Sequence, residues 1–431
     1  MSIDQKATGP AASSQVLAGS STPRRFRAGG KRNARLGRPL KLAGRVRGGV
    51  DEALLERIGK AMMERDELGA RLAVAMRLRA GDPERVTMKQ LRAALAGGLV
   101  AVSDAPPALV DFFTVVEQEP DWLDWDLLDE GARVYRRLGQ NAQDVLLQLS
   151  LVGGYRFGGP TDLLVATGGL TGGQTVRRLA ETQKWGSTLS DPGTMVPPRE
   201  GHGPGEGWRL TVHVRAMHAL VNHAYENSPE EWDCEEFGLP INQADMASTL
   251  GLFDGVLIIG ARALGVPFGR AESRALMHLW KYVGWLLGVD EEFLVDDEWE
   301  RHRFDYHVLL AQGPITEAGP KLAHAVVQAQ AERHYVGWPA ALQGARATFE
   351  QERLLSMLTV FLGPSSMREF GLPIRPPWAH AYLLGLNTWR YRVIKHLPGG
   401  RDRLWRWGHR RAQGLLASYF RGEQQDVGAL N

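Results

Sequence analysis

The sequence predicts an all-α protein, and three observations carry the prediction. Apolar residues recur at three- and four-residue steps in most segments beyond residue 50. Strand-like alternation is almost absent, and capping residues and Gly/Pro breaks punctuate the helical pattern. No internal repeat is visible.

In chain order, Asp51 is placed to cap a helix that runs to Arg79, with Leu54, Leu55, Ile58, Met62 and Leu68 apolar. Pro83 to Leu99 makes a second helix, ended by Gly97-Gly98, and the Pro106-Pro107 pair opens a third. Trp122 to Leu151 reads as one long amphipathic helix through Leu127, Val134, Leu138, Val145 and Leu149, stopping at Gly153-Gly154. The segment from Asp162 to Trp185 imitates a strand, a glycine loop and a helix. A dinucleotide fingerprint needs glycine at its first, third and sixth places, and Leu170 or Thr171 stands at the third; the Gly-Lys-Ser/Thr of a phosphate loop is also missing. From Ser190 to Trp208, four prolines and five glycines make an irregular loop. Helices are expected over 209–225, 245–265, 270–289, 290–306, 321–362, 378–397 and 401–421.

The 431 residues are enough to bury a core and a cofactor, and 44% apolar with 23% charged residues is the composition of a globular protein. A single cysteine, Cys234, excludes structural disulfides, a cysteine zinc site, an iron–sulfur cluster and covalent haem attachment through C-x-x-C-H. The formal net charge of +2 hides an asymmetry. Residues 1–50 carry eleven Lys and Arg against Asp4, a balance of +10 that leaves −8 for the remainder. Residues 1–48, rich in Ser, Gly and Ala, are therefore expected to be a disordered basic arm, with 49–431 forming one large all-α domain. Arg24-Arg25 looks like part of an export signal, but no apolar stretch follows, so a cytoplasmic protein is expected. The most apolar segment, Leu250 to Val266, is interrupted by Asp254, Arg262 and glycines, and no transmembrane segment is expected. No nucleic-acid partner is expected either.

The stretch RLTVHVRAMHALVNHAY, Arg209 to Tyr225, says most about chemistry. Leu210, Val214, Met217, Val221 and Ala224 form one apolar face, and His218 sits beside it, at the edge of what should be a buried apolar groove. Arg215 and Asn222 share the face of His218 by their i−3 and i+4 spacing. His213 and His223, each five residues away, are turned roughly 140° off on a 3.6-residue period, so the three histidines cannot chelate one ion. A lone histidine in that position is either a satisfied core residue or the single axial ligand of a b-type haem. Spacing alone leaves both open. His278, His302 and His307 form no recognised ligand set.

Four strings resolve this in order along the chain: R-R-L-A-E-T from Arg177, R-A-M-H-A from Arg215, N-Q-A-D-M-A-S-T-L from Asn242 and W-K-Y-V-G-W-L-L-G-V from Trp280. Together they resemble the MpaB/rubber-oxygenase (latex clearing protein) family. The resemblance implies a globin-like helical core, one haem b held by a proximal histidine matching His218, and O2-dependent oxidation or C=C cleavage of an apolar isoprenoid- or lipid-like substrate. It further implies that Arg178 and Thr182 lie near the open face of the iron, that Thr249 lies by the haem, and that Asp162 is the loose counterpart of a catalytic acid. Arg215 is expected either to reach a haem propionate or to form a surface ion pair. Two positions depart from rubber-cleaving members: Glu181 replaces a lysine before the threonine, and Asn222 replaces an arginine four residues after the proximal histidine. A haem protein without turnover, a gas sensor or haem carrier, is the alternative.

Overall fold

The computed structural model describes residues 22–168 and 174–420, and among them every regular element is helical. The first helices are α1 (Gly30–Ala43), α2 (Glu52–Ala61), α3 (Glu67–Arg77), α4 (Met88–Gly97), α5 (Pro107–Val116) and α6 (Trp125–Leu138). They are followed by α7 (Gln140–Val145), a π-helical turn (Leu146–Leu151), α8 (Val152–Gly154), α9 (Pro160–Ala166), α10 (Gln174–Leu189) and α11 (Glu206–Glu226). The chain continues through α12 (Cys234–Phe237), α13 (Gln243–Phe253), α14 (Gly255–Ala263), α15 (Arg270–Leu286) and α16 (Glu298–Ala311). It closes with α17 (Ala318–Glu332), α18 (Gln343–Glu369), α19 (Trp378–Arg392) and α20 (Gly400–Phe420).

Local chemistry explains several boundaries. The Asp51 carboxylate accepts the backbone N–H of Leu54, and Thr87 with Gln90 forms a reciprocal capping box at α4. Pro107 occupies the first turn of α5, where its missing N–H costs nothing. The expected Asp51–Arg79 helix is broken at Met62–Asp66, because the Met62 and Glu64 carbonyls accept the N–H groups of Leu239 and Gln243. The expected Trp122–Leu151 helix is likewise divided at Gly139, which has φ +54° and lies under the Trp407 ring of α20, where a Cβ would come within 2.5 Å of it.

The central pair is α6 against α15. They approach closely enough that a Cβ on Gly131 would lie 2.2 Å from the Ala275 carbonyl oxygen. Trp280 of α15 is fully buried and meets Tyr135 of α6, Trp185 of α10 and Phe253 of α13 at ring distances of 5.7, 5.8 and 4.9 Å. This aromatic cluster ties four helices together.

The stretch Gln243–Ala263 is long and apolar enough to cross a membrane by length and composition, with a mean hydropathy of 1.4, yet 67% of its most apolar window is buried inside the protein. Asp254 divides it into α13 and α14, capping Gly255 N–H and pairing with fully buried Arg301 at 3.1 Å.

The disordered arm expected over 1–48 is corrected from Thr22 onward; residues 1–21 lie outside the described residues. Polar anchors replace the apolar ones that sequence patterning looks for. Arg25 is 2% exposed, and its guanidinium donates to Asp245 at 2.5 Å, the Phe237 carbonyl at 2.6 Å and the Gln312 amide oxygen at 3.1 Å. Arg24 pairs with Asp233 and Glu236. On α1, buried Asn33 donates to the Gln312 carbonyl, and Gly37 lets the helix settle against the Tyr306 ring of α16. The domain therefore begins well before residue 49.

Candidate functional site

Helix α11 is held along one flank and left partly open along the other. Its first turns are pinned by the Trp208 indole, which donates to the Val116 carbonyl of α5, and by Thr211, whose hydroxyl accepts the Trp185 indole N–H of α10 at 3.0 Å. Further along, Val212, Arg215, Ala216, Ala219 and Asn222 are buried. The small side chains allow close packing on α3, where a Cβ on Gly69 would stand 3.1 Å from that of Ala219.

Arg215 makes neither a surface ion pair nor an unpartnered arm. It is 5% exposed, it grips both oxygens of Asp66 at 2.7 and 2.8 Å, and its guanidinium lies over the Phe112 ring. Asn222 accepts the Ile241 N–H at 2.8 Å and donates to Glu226, which fastens α11 to the turn before α13.

The expected groove-lining stripe stands differently from expectation. Leu210 is buried, but Val214, Met217 and Val221 are partly exposed and Ala224 is exposed. Helix α11 packs through the flank of small residues, and its larger aliphatic side chains are left only partly covered. His218 sits on the border between the two flanks. Among the described residues no group hydrogen-bonds its Nδ1, which is shielded from solvent. Burial pushes its pKa down to about 4, only partly opposed by the charge of Asp66, so the imidazole is neutral at neutral pH and one of its ring nitrogens carries a lone pair. A small cavity beside it is lined by Asp66, Ala70, Ala219, Asn222, Ile241, Met246 and Leu287. Asp66 was not singled out from the sequence; its one signal is its place just ahead of a helix, 149 residues from Arg215.

The remaining candidates lie on two neighbouring helices. Arg178 and His218 are each seven residues from the Trp185–Thr211 hydrogen bond, in the directions leading away from the loop that joins α10 to α11. Arg178 is exposed and forms no ion pair among the described residues. Thr182 is exposed and its hydroxyl donates to the Arg178 carbonyl, and Glu181 is paired with Arg177 at 3.1 Å. Thr249 is exposed on α13, four residues before Phe253, whose ring meets Trp185 at 5.6 Å; its hydroxyl donates to the Asp245 carbonyl. The Trp185–Phe253–Thr211 contacts thus bring together the three helices that carry Arg178, Thr249 and His218. Asp162 is elsewhere in role: its carboxylate accepts the Gly159 N–H at the start of α9 and the Thr316 hydroxyl.

The histidines outside α11 that the sequence offers, His278, His302 and His307, each bond the backbone through at least one ring nitrogen. His307 Nε2 accepts the Asp51 N–H while Nδ1 donates to the Arg303 carbonyl, His278 Nε2 accepts the Asp124 N–H, and His302 bonds the Gly255 carbonyl. No group of three or more potential metal-ligating side chains occurs among the described residues.

Comparison with known proteins agrees with this architecture. The solved structure of latex clearing protein LCP in its closed state superposes with a TM-score of 0.62, covering 88% of this chain and 94% of that one at 19% identity, which establishes a shared fold. The rubber oxygenase of Streptomyces sp. (strain K30) is 26% identical over 213 residues, 47% of this chain and 46% of that protein, so the match spans about half the length of that relative. The profile described as ER-bound oxygenase mpaB/B'/Rubber oxygenase, catalytic domain, matches residues 136–393, which include α10, α11 and α13 with His218, Arg178 and Thr249. The chain belongs to the MpaB/rubber-oxygenase family.

Proposed function

We propose that this protein is a haem b-dependent oxygenase acting on an apolar, isoprenoid- or lipid-like substrate. The observation that carries the reading is His218, a neutral, half-buried imidazole whose Nδ1 has no partner among the described residues, bordering a partly uncovered aliphatic stripe. A porphyrin needs one axial donor and apolar surface to lie on, and on α11 His218 would be the donor and Val214, Met217 and Val221 the surface. The small cavity on the Asp66 side of His218 is far too tight for a macrocycle, whereas Val214, Met217 and Val221 offer surface of the right character. When bound, haem would supply the binding and activation of O2.

The chain's own groups set the conditions around it. His218 stays uncharged across the physiological range and can donate an imidazole lone pair. Arg215, locked by Asp66, holds the buried flank of α11 and so fixes the helix that carries His218. Arg178, which forms no ion pair among the described residues, is suited to stabilising negative charge that develops on oxygen. Thr182 and Thr249 tie their hydroxyl protons to their own helices and keep oxygen lone pairs available as acceptors. Glu181 is neutralised by Arg177, so its replacement of a lysine removes a cation from α10 without leaving a bare carboxylate. Asp162 is given no part, because its carboxylate is used in capping.

Dioxygenase-type cleavage consumes one alkene and one O2 and yields two carbonyl products, with no external reductant. The test is a pyridine haemochrome spectrum on protein produced with added haem, followed by oxygen consumption with a polyisoprenoid oligomer. Haem is expected at about one per chain in the wild type and lost in His218→Ala. A His218→Ala protein with full haem, or a wild type with no affinity for hemin, would overturn the proposal. Haem without oxygen consumption would identify a sensor or carrier.

A further inference from the structure

Helix α19 lies on the surface with an apolar outward face. Its side chains at Trp378, Tyr382, Leu384, Leu386 and Trp389 are 37–57% exposed, while Ala379, Leu383, Asn387 and Tyr391 are buried beneath. No charged side chain is exposed between Trp378 and Trp389. The patch extends onto α18, where Phe349, 40% exposed, meets the Trp378 ring at 5.5 Å. Scattered exposed apolar residues are ordinary, but a continuous aromatic helix face is not.

A dense positive charge borders this face. Between Arg390 and Arg411 the sequence carries a net charge of +7 in a chain of +2. Arg392, Arg401, Arg403, Arg406, Arg410 and Arg411 are exposed. Beyond Pro373, the cations in ion pairs among the described residues are Arg375, with Glu352, and Lys395, with Glu272. The two features are joined in space: the Arg390 guanidinium, next to Trp389, lies 4.5 Å from the Trp407 ring of α20, and it feels the positive charge of Arg411.

We infer that the α19 face and the arginines of α20 together form a docking surface for an anionic lipid bilayer. Tryptophan and tyrosine settle at the headgroup boundary, where one end of the ring system is apolar and the other wet, and each nearby arginine adds attraction to acidic headgroups. A second copy of the chain is a poorer occupant, because it would set one arginine-rich border against another. The inference stands on α19 and α20 alone and does not depend on haem.

The experiment is co-sedimentation of the full chain with vesicles of phosphatidylcholine and phosphatidylglycerol at 70:30, compared with phosphatidylcholine alone, at low and high salt. Binding is expected to the anionic vesicles, to weaken as salt rises, and to fall at least tenfold in Trp378→Ser/Trp389→Ser and in Arg403→Glu/Arg406→Glu/Arg410→Glu. Brominated acyl chains should quench wild-type tryptophan fluorescence, a readout that survives if the aromatic variant misfolds. Absence of binding to anionic vesicles, equal binding by the folded variants, or a wild-type dimer made monomeric by the aromatic variant would each overturn the inference.

Discussion

Helices α11 and α19 both leave aliphatic or aromatic side chains incompletely covered, but what stands beside the stripe differs. On α11 it is a neutral imidazole, with a salt-bridged flank buried behind it. Beside α19 it is a set of exposed arginines, mostly on α20, that form no ion pair among the described residues. The first arrangement supplies a donor in a place where charge is excluded; the second supplies charge in a place where water is plentiful. An uncovered apolar stripe therefore does not define a function by itself. The polar group at its margin does.

The comparison is most severely broken by removing the support of α11. Asp66→Ala would leave the Arg215 guanidinium buried without its carboxylate, and stability measured by urea unfolding should fall by about 3–5 kcal/mol. His218→Ala is next: haem affinity should drop by more than about 100-fold, beyond the range seen when only a ligand's supporting partner is lost, as read from the Soret band during hemin titration. The imidazole also has a pH signature. Its folded pKa of about 4 lies below the unfolded value, so the unfolded chain binds the extra proton in between. Stability due to the neutral ring is complete above about pH 6.5 and declines as pH falls toward 4. In His218→Ala that part of the decline in thermal midpoint should vanish. The smallest effect belongs to α19: Trp389→Gln should change stability by no more than about 0.5 kcal/mol, whereas Trp280→Ala in the central cluster should cost about 3–5 kcal/mol.

Helix ends set by local chemistry were legible in the sequence at Asp51 and Pro107, whereas the Thr87 cap places the start of α4 five residues beyond the expected Pro83. Ends set by distant partners were not. The break at Met62–Asp66 exists because a turn 177 to 179 residues later hydrogen-bonds to it, far beyond the reach of any window-based pattern. The helix carrying His218 was found, but periodicity could not say which flank would be packed, since Ala216 and Ala219 are quieter signals than Val214 and Met217. Arg178, Thr182 and Thr249 came from resemblance to a family, and without it each would pass as an ordinary surface residue. The region after Thr22 folds against the expectation of a disordered arm because its anchors are an arginine and an asparagine, residues that composition counts as solvent-loving.

These anchors have a practical edge. Arg25 is bolted into the middle of the protein, where its guanidinium neutralises Asp245 at the base of the helix that bears Thr249. Trimming the chain to residue 49 would amputate a counter-ion instead of a tail, stranding a carboxylate one turn from the Thr249 hydroxyl. Shortened versions of this protein should begin ahead of Thr22, or the loss of activity they show will be charged to the wrong part of the molecule.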